Sequence, residues 1–457
     1  MTQHIKPIDL DIDFSEELQA AATAGDAAQM NAIFEQLTMS EALRELLELS
    51  AADRTAVLSL VSIEIAAAVI EEAPSETGAD LLEHLDSARA VQIMDEMDSD
   101  VQADLIGDME DEEAEAILSK MDAEDAADVR RLSEYEYDTA GGLMMSEVFE
   151  CQDTMTVSDV IKVLAKDDDD VDRYRGQHPY IVDAEGVLVG VVSLRGLLST
   201  KRAARLTTIM VKPMSVSPDA ELSDLEDIFD KYDFLGVPVI DGAGKLLGVV
   251  SRDAVSHALL ERAESENLKL QGVVGDELRS MPTWLRSRRR LAWLSANIVL
   301  NMIAASVISA YEETLVAVIA IAVFLPMVSD MSGCSGNQAV GVTMRELSLG
   351  LVRPKDAMKV WLKEVSVGVI NGITLGVLIG IVAWVWKGNP ALGLVIGAAL
   401  ALNTILAVSI GGVVPLFLKR IGQDPAVASG PLLTTVTDMA GFFLVLSLAK
   451  LMMPWLV

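Results

Sequence analysis

The chain has 457 residues, enough for two to four domains at roughly 100 to 200 residues each. It carries 35 Lys and Arg against 69 Asp and Glu, a net charge of −34, which argues against a nucleic-acid binder. Its two cysteines, Cys151 and Cys334, lie far apart in unlike surroundings, so a disulfide framework is excluded and a reducing compartment is allowed.

The opening stretch MTQHIKPIDLDIDFSEEL is polar and acidic where a signal peptide would need an apolar core, so the N-terminus is expected in the cytoplasm. Residues 50 to 133 then repeat with a period of 12, for example DSARAVQIMDEM, DSDVQADLIGDM and EDEEAEAILSKM. Capping residues or Pro mostly open each copy, and apolar residues mostly fill positions eight, nine and twelve. That pattern predicts short capped helices wound into an acidic superhelix over 1–136. Met94, Met97, Met109 and Met121 read as its core and not as a binding surface.

Two related units follow, with YIVDAEGVLVGVVS at 180–193 resembling VIDGAGKLLGVVS at 239–251. Each pair of short apolar strands comes after a helical stretch, giving a duplicated helix, strand, strand, helix pattern. It resembles a tandem of CBS domains, assigned to 137–200 and 201–257. Nucleotide-binding members of that family carry an Asp where this chain has Gly196 and Ala254, which counts against nucleotide binding here. The run DDDDVD at 167–172 lacks the glycine and terminal Glu of an EF-hand loop and reads as a solvated loop. His4, His84, His178 and His257 are scattered and no HExxH or P-loop occurs, so no enzyme is predicted. A polar, plug-like connecting helix is assigned to 258–285.

Residues 286–457 form the membrane part, because five apolar stretches reach the roughly 20 residues needed to cross hydrocarbon. They are 291–311, a broken one at 315–344, 365–386, 391–418 and 432–456. Arg286, Arg288, Arg289 and Arg290, then Arg345, Arg353, Lys355, Lys359 and Lys363, then Lys419 and Arg420 all fall on one side. The positive-inside rule therefore puts the N-terminal half in the cytoplasm and the C-terminus outside. Two acids lie within spans, and an ionisable group at that depth normally faces a partner or a water-filled path. Asp438 sits in span five, and helical spacing puts Thr434 and Thr435 on its side. Asp330 sits in span two, where Pro326, Gly333 and Gly336 predict an interrupted helix beside a path. Asn301 and Asn403 read as helix-to-helix hydrogen bonders.

An acidic superhelix, the junction YDTAGGLMM (137–145), two CBS units, a polar connecting helix and five spans, in that order, resemble the MgtE family of magnesium channels. The sharpest motifs are TAGGLM at 139–144, SGNQ at 335–338 and DPAVASGPLLTTVTD at 424–438. The resemblance implies a multidomain fold: an all-α acidic superhelical N-domain, tandem α/β CBS domains and an all-α five-helix transmembrane domain. It also implies a homodimer in the bacterial inner membrane whose spans enclose a pore, with Asp438 facing it and Asn337 and Gln338 matching the motif. Mg²⁺ would be the transported ion and also a regulator sensed by the cytoplasmic half; divalent cations and membrane lipid are the implied partners. Cys334, Gly430, Ala254, His257 and Arg262 depart from the family pattern, and Asp253, Glu261, Glu264 and Glu266 remain as candidate regulatory ligands. A membrane-anchored sensor or scaffold, and a carrier coupling Mg²⁺, Co²⁺ or Mn²⁺ to another ion, are the alternative readings.

Overall fold

The structure is a computed structural model that describes residues 14–165, 177–273, 275 and 277–457. The acidic run at 167–172 lies outside the described residues. The chain divides into two compact units, Met1–Arg262 and Ala263–Val457.

Among the described residues the first unit begins with ten short helices, from Ser15–Ala24 to Ala123–Leu132. Their N-caps fall at Phe14, Asp26, Thr38, Ser50, Ser62, Pro74, Asp86, Asp98, Glu110 and Asp122, one every 12 residues. The repeat therefore reaches three copies further upstream than residue 50. Caps such as the Thr38–Glu41 box satisfy amide donors that a helix start leaves free. An eight- to ten-residue helix is too short to hold itself in water, so each must pack, and successive helices stack against the next but one along much of the array. Met30, Met94, Met97, Met109 and Met121 are all buried in the resulting core.

Among the described residues six strands follow: β1 (Met144–Met145), β2 (Glu150–Gln152), β3 (Tyr180–Val182), β4 (Leu188–Val191), β5 (Gly236–Ile240) and β6 (Leu246–Ser251). They form two three-stranded sheets, β2-β3-β4 and β1-β6-β5. Strand β1 belongs to the second repeat's sheet, with Met144 opposite Val250 and Met145 opposite Val249. The TAGG segment before it turns tightly: a Cβ on Gly142 would stand 2.4 Å from the Glu136 carbonyl oxygen, and one on Gly141 2.5 Å from the Tyr135 ring. Only glycine fits there.

Among the described residues the second unit contains five helices long and apolar enough to cross a membrane: Thr283–Ala310, Ile319–Ser348 (beginning in 3-10 form), Pro354–Lys387, Pro390–Arg420 and Ser429–Leu451. We number them spans one to five. Span two differs from its expected form. Its α-helix runs unbroken from Leu325 to Ser348, with Pro326 in its first turn, and the irregular backbone is the 3-10 stretch Ile319–Val323 ahead of it. Proline is tolerated at a helix start because no donor is needed there. Gly336 serves contact and not bending. A Cβ on it would lie 2.9 Å from Leu433 and 3.1 Å from the Ala407 carbonyl oxygen.

Spans three and four share the most extensive helix contact. Gly368, Gly372, Gly376 and Gly380 recur every fourth residue and so share one face of span three. Cβ atoms on Gly372 and Gly376 would meet the carbonyl oxygens of Ala401 and Gly397 at 2.7 and 2.5 Å. Without a hydrophobic drive between helices in lipid, backbone contact across small residues is what holds such a pair.

Candidate functional site

Asp438 is half-buried in span five and accepts a hydrogen bond from the Ser329 hydroxyl of span two. One residue earlier, the Thr437 carbonyl oxygen accepts from the Asn403 amide of span four at 3.1 Å. Asn403 is fully buried, and its Oδ1 has no hydrogen-bond partner among the described residues. Gly441 completes this knot, since a Cβ there would come within 2.8 Å of Asn403 Nδ2. Asn403 thus makes the helix-to-helix bond its sequence suggested, and it fixes the stretch of span five that carries Asp438.

Asp330, adjacent to Ser329, is exposed in the single chain, as are Cys334, Asn337 and Gln338. Asp330, Cys334 and Asn337, spaced by four and three residues, form one stripe along span two. Asn337 and Thr435 meet in a cavity of about 330 Å³ between spans one, two and five, which Asn297, Asn301 and Thr434 also line. Asp438, Asp330 and Gln338 are not among its lining residues. Asn301 therefore departs from its sequence reading: it is exposed toward this space and makes no side-chain hydrogen bond to another described residue. Asn297, an amide in an apolar run, is a lining residue that the sequence reading passed over. Its i,i+4 spacing from Asn301 was the available signal.

Family models match three parts of the chain: the intracellular N domain of MgtE at 26–138, CBS domains at 140–202 and 206–261, and MgtE, described as a divalent cation transporter, at 325–448. The magnesium transporter MgtE of Thermus thermophilus is 34% identical over 72% of this chain and 73% of its own length. The chain belongs to the MgtE family. The magnesium transporter MgtE of Enterococcus faecalis is 32% identical, over 72% of each chain. Among solved structures, the cytosolic domain of the Mg²⁺ channel MgtE in complex with ATP is 30% identical over 53% of this chain and 99% of that one, with a TM-score of 0.48. MgtE proteins are divalent cation transporters and not enzymes.

The four candidate regulatory acids lie on one helix, Arg252–Leu270. Asp253, Glu261 and Glu264 are exposed, and Glu266 accepts a hydrogen bond from Ser348 at 3.2 Å. Among the described residues no three His, Cys, Asp or Glu side chains stand close enough to hold a metal ion. A crowd of acids that the sequence reading missed does exist in the first unit. Ser99 donates to Glu147 at 2.7 Å, next to Asp98 and Asp100. Burial, then Asp98 and Glu147, push the Asp100 carboxyl up to about 7. Asp104 is exposed over the residue as a whole, but local desolvation of its carboxyl, then Asp100, Asp108 and Glu261, push it up to about 7 as well. The signal was the i,i+4 pair in DSDVQADLIGD, which a strongly acidic chain hides among its other acids.

Proposed function

We propose that this MgtE-family chain carries Mg²⁺ across the membrane as a homodimer, with the hydrated ion passing Asp438 between spans two and five. The observation that carries this reading is Asp438 itself, a carboxylate inside a span that costs about 2.5 to 3.5 kcal/mol to place at membrane depth. Ser329 uses one of its oxygens and leaves the remaining lone pairs for donors. The waters of Mg²⁺ are such donors, and because this ion dehydrates reluctantly, carboxylates that accept from its waters select it without stripping them. Two copies would set two such groups at one constriction.

The uncovered stripe of Asp330, Cys334 and Asn337 supports a second copy, since an acid at this depth faces water or protein in preference to lipid. The basic joints of the sequence favour a cytoplasmic N-terminus, an external C-terminus and a bacterial inner membrane. Asp330, Asn337, Gln338 and Thr435 are the further ion-path residues in this reading. Asp253, Glu261, Glu264 and Glu266, now joined by Asp100 and Asp104, are the groups through which Mg²⁺ would regulate from the cytoplasm. The departures at Gly196 and Ala254 still weigh against a nucleotide ligand.

Uptake of Mg²⁺ into liposomes containing the full chain tests the reading. Asp438→Ala is expected to reduce flux by at least about an order of magnitude while the protein keeps its detergent melting temperature. Wild-type flux from a folded Asp438→Ala protein overturns the assignment. Flux that continues against an opposing Mg²⁺ gradient, driven by a second ion, makes the protein a coupled carrier.

A further inference from the structure

Resting on the transport reading, we infer that the cavity between spans one, two and five is a second station for the hydrated cation, with Asn297 of span one as its specificity-determining acceptor. The argument starts from which way the polar groups point. The Asn297 amide nitrogen donates to the Trp293 carbonyl oxygen at 3.1 Å. A carbonyl only accepts, so this bond spends one of the two amide protons of Asn297 and leaves its oxygen free to accept. Thr434 and Thr435 repeat the pattern, donating their hydroxyl protons to the carbonyls of Gly430 at 3.0 Å and Pro431 at 2.8 Å. Thr434 and Thr435 have thus spent their single donors on their own backbone and Asn297 one of its two, so three lining groups from two helices have lone pairs free to accept. That arrangement suits a ligand made of donors.

A hexahydrated divalent cation is such a ligand, because every proton on its shell points outward and is made more acidic by the metal. Size agrees. Six waters at about 30 Å³ each fill roughly 180 Å³, inside a cavity of about 330 Å³. Position agrees too: Thr434 precedes Asp438 by four residues, one helical turn or about 6 Å along span five. No carboxylate is among the lining residues, so the station holds the ion by neutral acceptors and releases it readily to the charged site. Asn297 and Asn301 also need an explanation, since two amides one turn apart on an otherwise apolar span are costly in lipid. At one end of the cavity the Trp293 indole packs against the backbone of Gly272, where any Cβ would stand 2.1 Å from its ring nitrogen. That packing fixes the carbonyl to which Asn297 is tied.

The test is the Mg²⁺ concentration dependence of flux in liposomes containing the full chain. Asn297→Leu removes the free acceptor and is expected to raise the half-saturating Mg²⁺ concentration about tenfold, the effect of one lost charge-assisted hydrogen bond. Asn297→Asp also loses the donor to Trp293 but keeps an acceptor and gains charge, so the half-saturating concentration should fall. A purely structural role predicts the same direction for both, because both break the bond to Trp293. Opposite shifts support the station. A rise in Asn297→Asp, or wild-type behaviour in Asn297→Leu, overturns it, and the Asp arm alone suffices if the Leu variant does not fold. Absence of Mg²⁺ flux in the wild type is the separate result that removes the transport reading on which the station rests.

Discussion

Residues 1 to 282 hold 61 acids and residues 283 to 457 hold eight, yet roles are easier to assign to the eight. In water an unpaired carboxylate costs little, so its presence says little about what it does. Within hydrocarbon the same group is expensive and persists where something uses it. Ser329 and Asn403 show the consequence, each bonding to span five beside or at Asp438. In the solenoid most acids face solvent, and those that carry information are the few that neighbours crowd, Asp100 and Asp104.

The two regions should differ most in how they take a methyl group. Gly411 in span four would place a Cβ 2.3 Å from the Gly336 carbonyl oxygen, whereas a Cβ on Gly107, in a solenoid helix, meets nothing within 4 Å. Gly411→Val is expected to destabilise the membrane unit by about 1 to 3 kcal/mol or more, since rigid backbone cannot move aside. Gly107→Ala should stabilise the first unit by about 0.4 to 1 kcal/mol, by restricting the unfolded chain and favouring helix. Melting curves in one detergent, followed separately for each unit, read both signs. A Gly411→Val protein that melts like wild type would show that spans two and four are not locked through these glycines.

The same contrast decided what was legible in the sequence. Five spans could be read because length and hydropathy alone make a membrane helix, and the twelve-residue period could be read because each copy carries its own cap. Span two was misread because Gly333 and Gly336 look alike whether they break a helix or let another backbone approach. Packing against Leu433 and Ala407 separates these, and it is invisible from one strand of text. Likewise Asn301 and Asn403 are the same residue in the same kind of run. One bonds to span five and the other faces a cavity, a distinction made by neighbours far along the chain. The pairing of β1 with β6 rests on two residues and a turn around Tyr135, too short for any periodicity to announce.

A smaller effect concerns pH. The Asp100 and Asp104 carboxyls titrate near 3.8 when unfolded and at about 7 in the fold. The native state therefore binds more protons across that window, so stability is fullest below the unfolded value and is lost as pH rises toward the folded one. Residues 1 to 262 should melt at a higher temperature at pH 5 than at pH 8, and Asp100→Asn with Asp104→Asn should flatten the difference. An unchanged slope in that double variant would place the pH dependence on other acids.

The smallest expected effect separates charge from chemistry in the acidic half. Any cation screens repulsion, and at 0.15 M ionic strength the Debye length is already about 8 Å, so NaCl alone should tighten the first unit somewhat. Mg²⁺ can do more only where oxygens are spaced to take its waters or the ion itself. The crowding of Asp104 with Asp100, Asp108 and Glu261 is the place where that spacing is most nearly met, and Glu261 lies on the helix that carries the other candidate ligands. Millimolar Mg²⁺ should therefore slow protease cleavage in residues 1 to 262 of the full chain beyond the effect of NaCl at matched ionic strength. Asp104→Asn with Glu261→Gln should remove the excess protection and leave the NaCl response as it was. Equal protection by the two salts would mean that the acids of this half act as a diffuse field. The poorer supply of acids in the membrane half, 8 in 175 residues against 61 in 282, would then not be the reason its sites stand out; Mg²⁺ recognition would belong to that half alone.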